Sequence, residues 1–418
     1  MRGLICALIV LLAFACNGGG EGLRTATPAP SPSATPAATA TRQATATPTP
    51  VQPVPLEEGA PITEEGAYLV EVATGRLWRL GGLWSPDGKT LLSTGCCIGQ
   101  GGLDLIDVPA GPAVRIFESD IATAAWSPDG QQIAFSRFDN GPEGLYVINR
   151  DGSGLEQLSE KGTRAIRWSP TGDRIAFKSS EHLYLLEVVS GEIGEVADLA
   201  HGFAWSPDGR SLAFSNDRGL YLYEPDSGES TELAVGYSDG PLHWSPDGSR
   251  MAVRLGPRIA MTHGGYAHDP SVGPQLVHVV DVQGSPEPKP LPPARSPSWS
   301  PDGTSIAYLS EGCITGKWDI FTVQPDGSSA TPLTSTPEDI KEGPVWSPTG
   351  SAIAFSDFVK LMLVDAESGE FRTLAVSGRA EGQGPTIHLH GSDWNNSPWS
   401  SDGRYIAFSA GFDHGICD

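Results

Sequence analysis

The chain has 418 residues, with 51 Gly, 36 Pro and a hydrophobic fraction of 39%. This composition is poor in helix formers and rich in turn formers, which argues against a helical bundle and suits many short strands. Its 50 acidic and 27 basic residues give a formal charge of -23, and so acidic a surface repels phosphate backbones, so nucleic acid is not an expected partner.

The first element is an export signal, residues 1–15. Arg2 is its charged start, and Leu4 to Phe14 form an apolar run too short to span a bilayer comfortably as a helix. Small residues then precede Cys16. The pattern resembles a bacterial lipoprotein signal, in which the cysteine becomes the lipid-bearing first residue. Ala13-Phe14-Ala15 also reads as an ordinary A-x-A cleavage site. Both readings cut the same bond and mean export. With the lipid the protein is a cell-surface lipoprotein that touches the membrane only through its anchor; without it, the protein is secreted. Residues 16–55 then hold Cys16 and a Gly-rich, then Thr/Pro/Ala-rich stretch that cannot bury a core and serves as a tether for residues 56–418.

Residues 56–418 are built of repeats. Trp recurs at Trp84, Trp126, Trp168, Trp205, Trp244, Trp299, Trp346 and Trp399, at spacings of 42, 42, 37, 39, 55, 47 and 53 residues. Each is followed by Ser, then by Pro in seven of eight copies (Ser401 in the last), then Asp or Thr, then Gly. An aliphatic residue or Met stands seven positions after every Trp, opening a run such as I-A-F-S. The reading per repeat is a strand ending in Trp, a tight S-P-D-G turn, a second strand, a third such as LYVIN (145–149), a Gly-containing turn and a fourth strand. Four antiparallel strands per roughly 45 residues make a propeller blade. The expectation is an all-β, eight-bladed β-propeller. Residues 66–80 would supply a third and a fourth strand and RYIAFSAG (404–411) a second. Strands from both chain ends would thus share the last blade and close the ring.

The W-S-P-D-G-x-x-I-A-F repeat resembles the WD-like repeats of the TolB family and of the propeller domains of dipeptidyl-peptidase-type enzymes. The resemblance covers residues 66–418. TolB itself has six blades and a preceding α/β domain, so only the repeat carries over, not the whole protein.

The turn aspartates (Asp87, Asp129, Asp208, Asp247, Asp302, Asp402) suggest metal binding, but local turn bonds account for them more simply. Function is sought instead where the repeat breaks its own pattern. Trp244 is separated from its third strand by 32 residues rather than the 15 of the third, fourth and seventh repeats, and the extra loop holds His263, Tyr266, His268 and Asp269. The long connection before Trp399 holds His388, His390, Asp393 and Trp394, and the last loop holds His414. With Trp318, these are the ligand-binding candidates, expected on the rim opposite the S-P-D-G turns. His263, His268, His388, His390 and His414 are also the candidate ligands of a divalent metal, although no cofactor is required. Gly236-Tyr237-Ser238-Asp239-Gly240 matches a nucleophile elbow but leads into the next strand, not a helix, so Ser238 is not read as a nucleophile. Cys417 is expected to pair with Cys96 or Cys97 across neighbouring blades, in preference to a strained Cys96–Cys97 bridge.

No complete catalytic motif is visible. The favoured function is therefore a monomeric binding module for a protein, peptide or glycan. The alternative is a metal-assisted lyase or hydrolase acting on an extracellular polymer.

Overall fold

A computed structural model describes residues 8–13, 69–74, 78–79, 84–95, 101–108, 111–137, 143–163, 165–236, 238, 240–256, 276–283, 288–291, 294–311, 318–335, 340, 342–376, 386–389 and 397–411. Among the described residues there is no helix, and the strands form eight four-stranded sheets. The second sheet is typical: Ile121–Trp126, Gln132–Arg137, Gly144–Asn149 and Glu156–Ser159 pair antiparallel in chain order. Seven sheets follow this consecutive order, one for each of the first seven Trp repeats.

The turn chemistry is local. In the second repeat, Gly130 N–H donates to Ser127 C=O at 2.9 Å, and the Ser127 hydroxyl donates to Asp129 Oδ1 at 2.6 Å. The same carboxylate oxygen accepts the Gln131 amide at 3.0 Å. The eight turn glycines, from Gly88 to Gly403, all have φ between 68° and 78°, a region where a Cβ is strained. That is why every copy of the repeat keeps Gly there.

Trp does the long-range work. Each apolar cluster joins one sheet to the next. Leu92, Leu103 and Leu105 of the first meet Trp126, Ile133, Phe135 and Tyr146 of the second. Leu361, Leu363 and Leu374 of the seventh meet Trp399, Ile406 and Phe408 of the eighth. The indole N–H of Trp205 donates to Arg167 C=O at 3.2 Å, that of Trp244 to Ala204 at 3.2 Å, that of Trp299 to His243 at 3.0 Å, and that of Trp399 to Val345 at 3.2 Å. In these four the acceptor is the residue just before the preceding Trp, whereas the indole N–H groups of Trp126, Trp168 and Trp346 are buried without a hydrogen-bond partner among the described residues. Trp84, in the first repeat, uses the same bond to reach the last: its indole donates to Pro398 C=O at 2.9 Å. Its ring also stacks on Tyr405 at 6.0 Å.

Two expectations need correction. Residues 66–80 do not form an adjacent third and fourth strand. Leu69–Thr74 is an edge strand of the eighth sheet, whereas Trp78–Arg79 pairs with Thr94 and Gly95 as the inner strand of the first. The reason is ladder continuity. Trp84 bridges Leu91, so the residues leading into it must lie beside the end of the same second strand. The third position of the eighth sheet is taken instead by Leu8–Ala13, parallel to both Leu69–Thr74 and Tyr405–Gly411. That sheet is therefore not wholly antiparallel.

Candidate functional site

Each sheet has two ends, and they differ in what their side chains are free to do. At one end lie the S-P-D-G turns. A Cβ built on the turn glycines of the second to eighth repeats would sit 3.2–3.7 Å from the Pro of the preceding turn, and one on Gly88 would sit 2.6 Å from Ser401 Oγ. The turns are thus stacked on one another. Five of their aspartates (Asp87, Asp129, Asp208, Asp247 and Asp302) are held below the usual carboxylate range, chiefly by the hydrogen bond from the turn serine. Where the third repeat has Thr171, the carboxylate moves two places on: Asp173 accepts the hydroxyls of Ser169 at 2.9 Å and Thr171 at 2.5 Å. These polar groups are committed to the turns.

At the opposite end, second strands pass into third strands and fourth strands lead to the next sheet. Here the side chains differ from sheet to sheet. His182 Nδ1 is 2.9 Å from Glu195, and Lys178 is 3.1 Å from Glu181. Lys161 sits over the Tyr184 ring at 4.6 Å and Arg137 over Tyr146 at 5.7 Å. His201 Nε2 is 2.7 Å from Asp217, with the imidazole largely buried. No sequence pattern marks these His–carboxylate pairs. His201 and Asp217 stand 16 residues apart on either side of a second strand, and only the fold of the hairpin joins them.

Trp318 opens the third strand of the sixth sheet, half-buried, with the Arg295 guanidinium 4.5 Å above its ring. His388 lies in Thr386–Leu389, opposite Ser409. This segment is not a loop but the inner strand of the eighth sheet. Leu389 pairs with Phe408, and the next bond on that edge is Ala407 N–H to Pro398 C=O at 2.8 Å. In the second sheet the corresponding partners, Ala124 opposite Phe135 and Ala125 opposite Ala134, are consecutive residues within Ile121–Trp126. Residues 390–397 are therefore an insertion within an innermost strand. His263, Tyr266, His268, Asp269, His390, Asp393, Trp394 and His414 lie outside the described residues, as do Cys16, Cys96, Cys97 and Cys417. Among the described residues no three His, Cys, Asp or Glu side chains are arranged to hold a metal ion.

Two groups invite a catalytic reading and do not support it. Ser238 is fully buried and its hydroxyl has no hydrogen-bond partner, so no base activates it. His243 Nε2 is likewise buried without a partner, and burial pushes its pKa down to about 4. A neutral imidazole, its Nε2 buried and with no partner to relay a proton, is a structural group.

Stacked four-stranded sheets tied by a repeated Trp bond define a β-propeller. No family model and no curated protein matches the chain. Solved structures do. Dipeptidyl peptidase 4 of Porphyromonas gingivalis aligns over 83% of this chain and 58% of its own, at 16% identity and a TM-score of 0.54. The dihydro-heme d1 dehydrogenase NirN aligns over 73% of this chain and 68% of its own, at 18% identity and a TM-score of 0.51. TolB of Acinetobacter baumannii aligns over 59% of this chain at 21% identity and a TM-score of 0.36, and this chain spans 61% of its length. The two likenesses with TM-scores above 0.5 agree with the β-propeller fold.

Proposed function

We propose that the protein is an exported, lipid-anchored β-propeller of eight blades, closed between its first and last repeats, that binds a protein, peptide or glycan ligand outside the cell. Cleavage before Cys16 removes Leu8–Ala13, and the mature last sheet keeps Leu69–Thr74, Tyr405–Gly411 and Thr386–Leu389. Closure is supported by the Trp84–Pro398 bond, which repeats across 314 residues the bond that ties neighbouring repeats elsewhere. The observation that carries the binding role is the insertion of residues 390–397 into an innermost strand. An insertion on an outer strand would lengthen the rim. One between Leu389 and Pro398 departs from the edge nearest the ring axis, where propellers and other repeat folds present ligand surfaces. His390, Asp393 and Trp394 belong to this stretch of the sequence.

The test replaces residues 391–396 and, separately, 257–275 with Gly-Ser linkers, and passes envelope extracts over immobilised wild-type and variant protein. Both variants should keep the wild-type β-sheet circular dichroism and thermal midpoint while retaining no partner. Unchanged retention would reject the reading. Elemental mass spectrometry runs beside it. About one equivalent of zinc, manganese or calcium, lost in H388A/H390A, would replace the binding module with the metal-assisted lyase or hydrolase. Incorporation of labelled palmitate, abolished by Cys16→Ser, tests the anchor.

A further inference from the structure

The middle of most sheets follows a pattern from which the first sheet departs furthest. In the second, third, fourth and sixth sheets the central cross-strand pair is aromatic: Phe135–Tyr146, Phe177–Tyr184, Phe214–Tyr221 and Tyr308–Phe321, with rings 5.2–5.8 Å apart. The seventh uses Phe355 with Met362 and the fifth Val253 with His278. These residues face the preceding sheet. Phe135 and Tyr146 cluster with leucines of the first sheet, Phe214 with Leu183 and Leu185 of the third, and Phe408 with leucines of the seventh. In the first sheet the same two positions hold Ser93 and Asp104, and the line continues into Arg115 on the fourth strand.

By the same register Ser93, Asp104 and Arg115 face the last sheet, the neighbour that Trp84 and Gly88 touch. Asp104 is 3% exposed and accepts both Arg115 Nε–H and Nη2–H at 2.9 Å. The guanidinium lies against Gly102, where a Cβ would come within 2.7 Å of Nε. Ser93 is fully buried and its hydroxyl has no partner. Leu91 and Ile106, also fully buried, flank the group. An aromatic pair adds attraction beyond its buried area. A buried carboxylate paired with a partly exposed guanidinium returns little beyond its desolvation cost, and an unpaired buried hydroxyl is a net loss.

We infer that, in a ring closed as proposed, the junction between the first and last sheets opens locally more readily than the next one, between the first and second sheets. This does not depend on what the protein binds. Hydrogen exchange read by mass spectrometry on the full chain tests it. Amides of Thr90–Gly95 and Gly102–Asp107 are expected to exchange at least tenfold faster than those of Gln132–Arg137 and Gly144–Asn149, which occupy the same positions one sheet on. Installing the residues of the second sheet, S93F/D104Y/R115Q, should slow the first pair to the rate of the second and raise the thermal midpoint. Equal or slower exchange in the wild-type first sheet would overturn the inference. That comparison stands even if the triple variant does not fold. A folded triple variant with unchanged exchange would overturn it as well.

Discussion

The two ends of the sheets were built under different demands. At the turn end, eight copies of one motif satisfy their own polar groups within five residues and pack on the copy before. The carboxylate of Asp247, for example, takes the hydroxyl of Ser245 and the amide and hydroxyl of Ser249. At the opposite end no two sheets carry the same groups. Arg295 covers Trp318 in one, His201 meets Asp217 in another, and an eight-residue insertion interrupts a third. Sameness marks the end that holds the sheets together. Difference marks the end whose side chains are not committed to the turns.

Removing a Trp that ties the repeats should have the largest effect on the structural side of this contrast. Trp399 is 2% exposed and donates to Val345 C=O. Trp399→Ala should lower unfolding stability by about 3–5 kcal/mol, read from the denaturant midpoint at unchanged slope. A cost below about 1 kcal/mol would mean that the tie is not structural.

Acid should act next, through His243. Its folded-state pKa of about 4 lies below the ordinary 6.5, so as pH falls below 6.5 the unfolded chain takes the proton first. Stability contributed by the neutral ring is full above pH 6.5, falls as pH approaches 4 and then levels off. The loss should reach about 3 kcal/mol, at roughly 1.4 kcal/mol per pKa unit. His243→Gln should flatten this part of the profile, and an unchanged slope in that variant would assign the acid sensitivity elsewhere.

The smallest effect should come from one turn. Asp129→Ala removes the acceptor for Ser127 and Gln131 and should cost about 1 kcal/mol. Asp129→Thr should cost less, because Thr349 already fills that place in the seventh repeat, where its hydroxyl lies 3.1 Å from Ser347 and 2.8 Å from Ser351. Thermal melts of the two variants side by side would decide it. Equal costs would mean that the hydroxyl cannot replace the carboxylate.

The sequence by itself determined what is local and repeated. The Trp period, the S-P-D-G turns and the positive-φ glycines were legible because each turn closes its own hydrogen bonds within a few residues, so the residues that specify it are adjacent in the chain. The tertiary structure decided what needs a distant partner. It split residues 66–80 between the first and last sheets and turned the segment around His388 from a loop into an inner strand. It buried Ser238, joined His201 to Asp217 and sent the Trp84 indole to Pro398. It also set Ser93 opposite Asp104, which no local pattern announces. In the sequence these residues look like ordinary polar positions in a strand. Only register and sheet order show that they stand where most other sheets have a large apolar or aromatic side chain, because the partner of a strand is chosen by the whole ladder and not by its neighbours in the chain.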